Sequence, residues 1–143
     1  MESRIELADK RHGSGYNCSQ AVACTYCDLV GIDEAAMFSM VEGLGFGMGN
    51  MEGTCGALSG ACILAGLKNS CGNPERPTSK GSTYRITRQL MAAFKEQNSS
   101  VICKELKGIE TGEFLRSCRD CVTDAAEFVE KILFPEVFGE KSE

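Results

Sequence analysis

Residues 54–66 read TCGALSGACILAG, and this stretch decides the fold of the chain. It predicts a helix whose side chains are apolar or small on nearly every side. A helix without a polar face has to be surrounded by other elements, so we expect it at the centre of the domain. The glycine-rich residues before it do not form a strand pattern, which predicts an irregular loop leading into this helix.

Apolar residues recur at helical spacing through most of the remaining sequence, and alternating runs typical of strands are nearly absent. The sequence therefore predicts an all-α fold, a single domain over residues 1–143, with about six or seven helices in a bundle. Residues with good N-cap side chains mark four of the predicted helix starts. They are Asn17, Thr54, Ser100 and Ser117.

The charge balance excludes several classes of partner. The chain has 143 residues, with 15 Lys and Arg against 20 Asp and Glu, a net charge of −5. An acidic chain without a basic cluster is not expected to bind nucleic acid or an anionic membrane surface. No apolar segment is long enough to span a bilayer, and the first residues lack the apolar core of a secretion signal, so we expect a cytoplasmic protein.

Nine cysteines are the most informative feature of the composition. In a reducing cytosol such a number indicates metal binding or redox chemistry before structural disulfides. Four cysteines fall within the first turn behind the predicted caps, where unpaired amide groups and the positive helix end stabilise a thiolate or an anionic metal–thiolate group. They are Cys18, Cys55, Cys103 and Cys118.

The other cysteines and the single histidine receive different interpretations. Cys24, Cys27 and Cys62 lie inside predicted helices and are interpreted as core residues. Cys71 and Cys121 remain open, either as extra ligands or as resolving thiols. Neither Cys-x-x-Cys pair is followed by His, which excludes attachment of a c-type haem. The chain has a single histidine, His12, which is expected to be a solvated surface residue.

Several motifs occur in an order that resembles the C_GCAxxG_C_C family of redox-active proteins, named for its spaced cysteines. The resemblance spans nearly the whole chain and rests on residues 15–22, 45–49, 55–60, 94–95 and 103–108, and on Cys118 with residues 122–127. The four cysteines of the family name correspond to Cys18, Cys55, Cys103 and Cys118. The resemblance implies redox activity with an iron–sulfur or other prosthetic group, a redox partner protein and, together with the small size, a homodimer.

The glycine run from Gly43 to Gly60 has two interpretations. It is either a mobile connection or a segment that lets the backbone approach a cofactor and point amide groups at sulfur. In the second case Gly56 and Gly60 join the four cysteines as cofactor-binding residues.

Three functions follow from these residues. The first is an electron-transfer or redox module that holds a two-iron or four-iron sulfur cluster on Cys18, Cys55, Cys103 and Cys118. The second is a metal-free thiol–disulfide redox protein in which Cys55 or Cys118 attacks, with Cys118 and Cys121 as the natural pair. The third is a structural zinc site on the same four cysteines. The sequence leaves open the cluster type and whether the chain is itself an enzyme or a component of an oxidoreductase.

Overall fold

A computed structural model describes residues 1–139, which contain eight α-helices and no strand. The helices are α1 (Ile5–Gly13), α2 (Cys18–Tyr26), α3 (Glu34–Val41), α4 (Gly56–Asn69), α5 (Lys80–Asn98), α6 (Cys103–Lys107), α7 (Cys118–Phe128) and α8 (Pro135–Phe138). The all-α prediction is confirmed. The predicted domain range also includes residues 140–143, which lie outside the described part of the chain. The helix beyond the expected number is α8, a single turn that begins at Pro135, where a proline is well tolerated.

Helix α4 lies at the centre, as its lack of a polar face predicts. It packs against α2, α5 and α7, and most of its residues from 56 to 65 are buried. Helix α2 is buried along its whole length. The two helices approach closely at Gly60, where a Cβ atom would lie 2.8 Å from the carbonyl oxygen of Ser19. A side chain at this position would push the two central helices apart.

Two of the predicted helix caps are confirmed. Asn17 and Gln20 form a capping box, in which each side-chain oxygen accepts a hydrogen bond of 2.9 Å from the backbone N–H of the other residue. Ser117 Oγ accepts a hydrogen bond of 3.0 Å from the N–H of Asp120. Cys18 and Cys118 are consequently the first residues of α2 and α7.

The predictions that Thr54 and Ser100 are caps are wrong, because the two segments that contain them pair with each other although they are distant in sequence. Thr54 and Ile102 form an isolated antiparallel bridge. The N–H of Cys55 donates to the carbonyl of Val101 at 2.7 Å, and the N–H of Cys103 donates to the carbonyl of Gly53 at 2.9 Å. This pairing keeps both segments extended for longer. Cys55 therefore occupies the N-cap position of α4, and Cys103 is the first residue of α6.

Candidate redox site at the helix N-termini

A cavity of about 160 Å³ lies where the N-terminal ends of four helices meet. Five cysteine side chains line it, one each from α2 and α6, two from α7, and one from the residue that precedes α4. They are Cys18, Cys103, Cys118, Cys121 and Cys55. All four cysteines that the sequence analysis selected are therefore brought together. Four of the five are buried, and Cys118 is partly exposed to solvent.

Helix ends contribute a favourable field to this cavity. Cys18 and Cys118 occupy the first positions of α2 and α7, and Cys55 directly precedes α4. The first N–H groups of a helix lack intrahelical partners, and the helix dipole is positive at this end. Three helices of nine or more residues thus direct their positive ends towards sulfur. Negative charge on these sulfur atoms is stabilised for the same reason.

Cys55 and Cys103 are held side by side by the bridge between residues 53–55 and 101–103. The two hydrogen bonds that join Cys55 to Val101 and Cys103 to Gly53 use the backbone of the cysteines themselves. A short ion-pair network on the surface adds to this link, because Lys104 Nζ lies 3.0 Å from a carboxylate oxygen of Glu52 and 3.3 Å from one of Glu110. The positions of these two sulfur atoms therefore depend on tertiary pairing and not on local sequence alone.

The glycine-rich segment forms a left-handed turn beside the cavity. Residues 46–49 all have positive φ, with values of 58°, 58°, 67° and 83°. Phe46 lines the cavity. Its backbone N–H acts to lower the pKa of Cys18, although burial raises this pKa overall.

Two glycines leave the space that the sulfur atoms need. A Cβ atom on Gly47 would lie 2.4 Å from Cys103 Cβ, and one on Gly56 would lie 2.5 Å from Cys18 Sγ. Gly56 also lines the cavity. Gly60, the other glycine predicted to bind a cofactor, lies at the contact between α2 and α4 and not at the cavity wall.

The protonation of the cavity thiols differs from one cysteine to the next. Burial raises the pKa of Cys18 and raises that of Cys103 to about 11. The pKa of Cys55 is lowered to about 7, because the Cys121 thiol donates a hydrogen bond to its sulfur and the N–H groups of Leu58 and Ala57 point at it. The same hydrogen bond raises the pKa of Cys121, which has to keep its proton to donate. Cys55 and Cys121 therefore act as an acceptor and donor pair.

Three basic side chains also line the cavity: His12, Lys107 and Arg116. Lys107 Nζ donates a hydrogen bond to Cys118 Sγ. Burial lowers the pKa of Lys107, but this hydrogen bond and the charge of Cys118 outweigh it and raise the pKa overall. Arg116 is engaged elsewhere, with its Nε 2.9 Å from Asp124 Oδ2. His12 is half-buried rather than solvated as expected, and burial lowers its pKa.

The remaining cysteines lie away from this cavity. Cys24 and Cys27 are buried, as expected for core residues, and Cys62 is half-buried at the edge of the core. Cys71 is exposed in the connection between α4 and α5. Of the two cysteines left open by the sequence, Cys121 reaches the cavity and Cys71 does not.

None of the described carboxylates lines the cavity. Within residues 1–139, no three His, Cys, Asp or Glu side chains lie at the spacing of a single-ion site.

Sequence reasoning overlooked Lys107 as a site residue. The signal that would have found it is its spacing, since Lys107 follows Cys103 by four residues and so lies on the same face of α6.

Comparison with known protein families identifies the class of protein that this fold and cysteine cavity define. The family model described as "Putative redox-active protein (C_GCAxxG_C_C)" matches residues 16–132. The chain belongs to this family. No curated protein and no solved structure matches it.

The helices were also compared with the requirements of a membrane span. Over residues 1–139, none combines the length and the apolar character needed to cross a bilayer.

Proposed function

We propose that this member of the family is an electron-transfer module that holds an iron–sulfur cluster on Cys18, Cys55, Cys103 and Cys118. One observation carries the proposal. These four cysteines come from four separate parts of the chain, and each stands at or directly before the start of a helix around one cavity. Four thiolates are the usual ligand set of a two-iron or four-iron cluster.

The residues present fit such a group in donor chemistry and in space. The lining offers five sulfur atoms and none of the carboxylates of residues 1–139. The absence of side chains at Gly47 and Gly56 leaves room beside Cys103 and Cys18. The cavity of about 160 Å³ is comparable with cavities of roughly 150 Å³ that hold a benzene-sized molecule. When bound, the cluster supplies one-electron transfer.

The protein's own contribution is to stabilise negative charge on sulfur while keeping water out. The positive ends of α2, α4 and α7, the N–H of Phe46 and the ammonium of Lys107 all act in this direction. Four of the five cavity cysteines are buried. These groups stabilise thiolates as ligands. Electron transfer through such ligands does not require an acid or base that acts on a substrate.

A redox partner protein, a homodimer and a cytoplasmic location belong to the same proposal. An electron-transfer module needs a partner that supplies or accepts the electron, and Cys118 at the partly exposed side of the cavity is the natural point of approach. In this role the module would serve as a component of an oxidoreductase system.

A second function is supported by the placement of Cys55 and Cys121 in the lining of one cavity. In this candidate the Cys55 thiolate attacks one sulfur of a substrate disulfide, forms a mixed disulfide and releases the first substrate thiolate. Cys121, after losing its proton, then attacks Cys55 Sγ, which forms the Cys55–Cys121 disulfide and releases the second thiolate. The hydrogen bond from Cys121 and the pKa of about 7 for Cys55 favour this pair. The pair joins α7 to the start of α4, in contrast to the expected pair of Cys118 and Cys121.

The deciding experiment is anaerobic purification, followed by an absorbance spectrum and by iron, acid-labile sulfide and zinc assays on the same sample. A brown protein with iron and sulfide in equal amounts supports the cluster. A colourless protein with zinc supports the structural site. A colourless, metal-free protein that resists reconstitution with iron and sulfide, and that loses two thiols reversibly on treatment with an organic disulfide, supports the exchange of Cys55 and Cys121.

A further inference from the structure

Lys107 differs from its neighbour Lys104 in what its ammonium group contacts. Lys104, three residues earlier, pairs with the carboxylates of Glu52 and Glu110 on the surface. Lys107 is half-buried, and within residues 1–139 its ammonium forms no ion pair with a carboxylate. Its hydrogen bond goes to Cys118 Sγ. Two lysines of one short helix thus face two different environments.

The other basic groups at the cavity do not share this property. Arg116 binds Asp124 through two nitrogen atoms, with distances of 2.9 and 3.0 Å. Burial favours the neutral form of His12, because it lowers the pKa of the imidazole. Among the basic residues of the cavity wall, Lys107 is therefore the charged one that does not pair with a described carboxylate.

A buried ammonium group is costly unless an anion accompanies it. Lys107 lines the same cavity as Cys55, Cys103 and Cys118, and its ammonium contacts the last of these. A cation held among sulfur atoms, with none of the described carboxylates in the cavity lining, attracts negative charge into the cavity.

We infer that Lys107 is the counter-ion of the cavity: it selects an anionic occupant next to Cys118 and stabilises negative charge added there. Lys107 is a positioning residue in this role. The part of the inference that concerns reduction of a bound cluster rests on the proposed function. The part that concerns charge selection holds for the metal-free protein as well.

Alkylation of the metal-free protein tests charge selection without a cofactor. Iodoacetate is anionic and iodoacetamide is neutral, and both convert a thiolate to a thioether with release of iodide. Peptide mass spectrometry gives the rate of each reagent at Cys118, and the quantity of interest is the iodoacetate rate divided by the iodoacetamide rate. Both reagents react with the thiolate, so this ratio does not depend on the thiolate fraction and reports the local charge. We expect Lys107→Met to lower this ratio about fivefold, the effect of one unit charge a few ångströms away in water.

The controls lie in the same chain. Lys104→Met removes a lysine from the same helix but outside the cavity, and the ratio at Cys118 should stay unchanged. Cys71 lies in a different cavity and serves as an internal reference in every sample. Lys107→Arg should restore most of the ratio, and Lys107→Gln covers the case in which the Met variant does not fold. An unchanged ratio in a folded Lys107→Met or Lys107→Gln protein overturns the inference.

The loaded protein provides the second readout, the reduction potential. An added electron increases the negative charge near Cys118, so loss of the Lys107 charge disfavours the reduced state. We expect Lys107→Met to change the equilibrium between the oxidised and reduced cluster about tenfold. This corresponds to a downward shift of about 59 mV in the reduction potential of a one-electron couple. Lys107→Arg should give a smaller shift. A loaded Lys107→Met protein with the wild-type potential contradicts the inference. Failure of the wild-type protein to load contradicts the proposed function instead, and the alkylation ratio then decides about Lys107.

Discussion

Cysteines occur in two regions of this molecule, the core and the cavity, and the hydrogen-bond partners of their sulfur atoms differ. At the C-terminal end of α2, Cys24 Sγ donates to the carbonyl of Glu34 at 3.8 Å, and Cys27 Sγ donates to the carbonyl of Cys24 at 3.4 Å. In the cavity, the sulfur of Cys118 accepts a hydrogen bond from Lys107, and Cys55 and Cys121 act as an acceptor and donor pair of sulfur atoms. A donating thiol must keep its proton, whereas an accepting sulfur is stabilised as a thiolate.

This contrast distinguishes the core cysteines from the cavity cysteines better than burial does. Burial raises the pKa of Cys24 to about 11 and that of Cys103 to about 11, although one lies in the core and the other in the cavity. Burial alone therefore does not distinguish them. The groups around the sulfur do, because carbonyl oxygens surround the core thiols, while N–H groups and an ammonium surround the cavity.

The largest expected effect comes from removing a cavity ligand. Each of the single changes Cys18→Ser, Cys55→Ser, Cys103→Ser and Cys118→Ser should lower the iron and sulfide content after anaerobic reconstitution about tenfold or more, because each removes a thiolate ligand. The matched control is Cys24→Ala, which removes a buried thiol from the core and should leave the loading unchanged while lowering the melting temperature.

The result for the control decides whether the comparison holds. Equal loss of iron from Cys24→Ala would show that burial, and not the direction of the hydrogen bonds, defines the site. A full content of iron and sulfide in all four cavity variants would contradict the proposed ligand set.

The next largest expected effect is on the free energy of unfolding, and it concerns two glycines beside the cavity. Gly47 and Gly49 both have positive φ, but only at Gly47 would a Cβ atom collide with another residue, Cys103. We expect Gly49→Ala to cost about 1 kcal/mol of unfolding free energy for the left-handed backbone. Gly47→Ala should cost about 2–4 kcal/mol, because overpacking adds to the same backbone strain. Urea unfolding of both metal-free variants measures the difference, and equal costs would contradict the assigned contact with Cys103.

The sequence predicted the features that depend on neighbouring residues. The capping box of Asn17 and Gln20 and the cap at Ser117 involve residues three positions apart, so the pattern alone identifies them. These caps place Cys18 and Cys118 at helix starts. The central position of α4 follows in the same way from its own composition, since a helix without a polar face has to be enclosed.

Features that depend on distant residues could not be predicted in this way. Thr54 loses its expected capping role because it pairs with Ile102, about fifty residues later. Cys121 follows Cys118 by one helical turn, yet its hydrogen bond reaches Cys55 on another part of the chain. The protonation of the site therefore depends on which helix ends meet, and this is a property of the tertiary fold.

The smallest expected effect is a shift in a single titration, and it tests the direction of the hydrogen bond from Cys121 to Cys55. In the metal-free protein we expect a thiolate absorbance step near pH 7 that disappears in Cys55→Ala. Cys121→Ala removes the donor, so the pKa of Cys55 should rise towards the ordinary value of 9.0. Cys24→Ala should leave the step unchanged, because the core thiol titrates near 11. A step that stays near pH 7 in Cys121→Ala would contradict the assigned hydrogen bond and would assign the low pKa of Cys55 to the N–H groups of Ala57 and Leu58 and to Lys107.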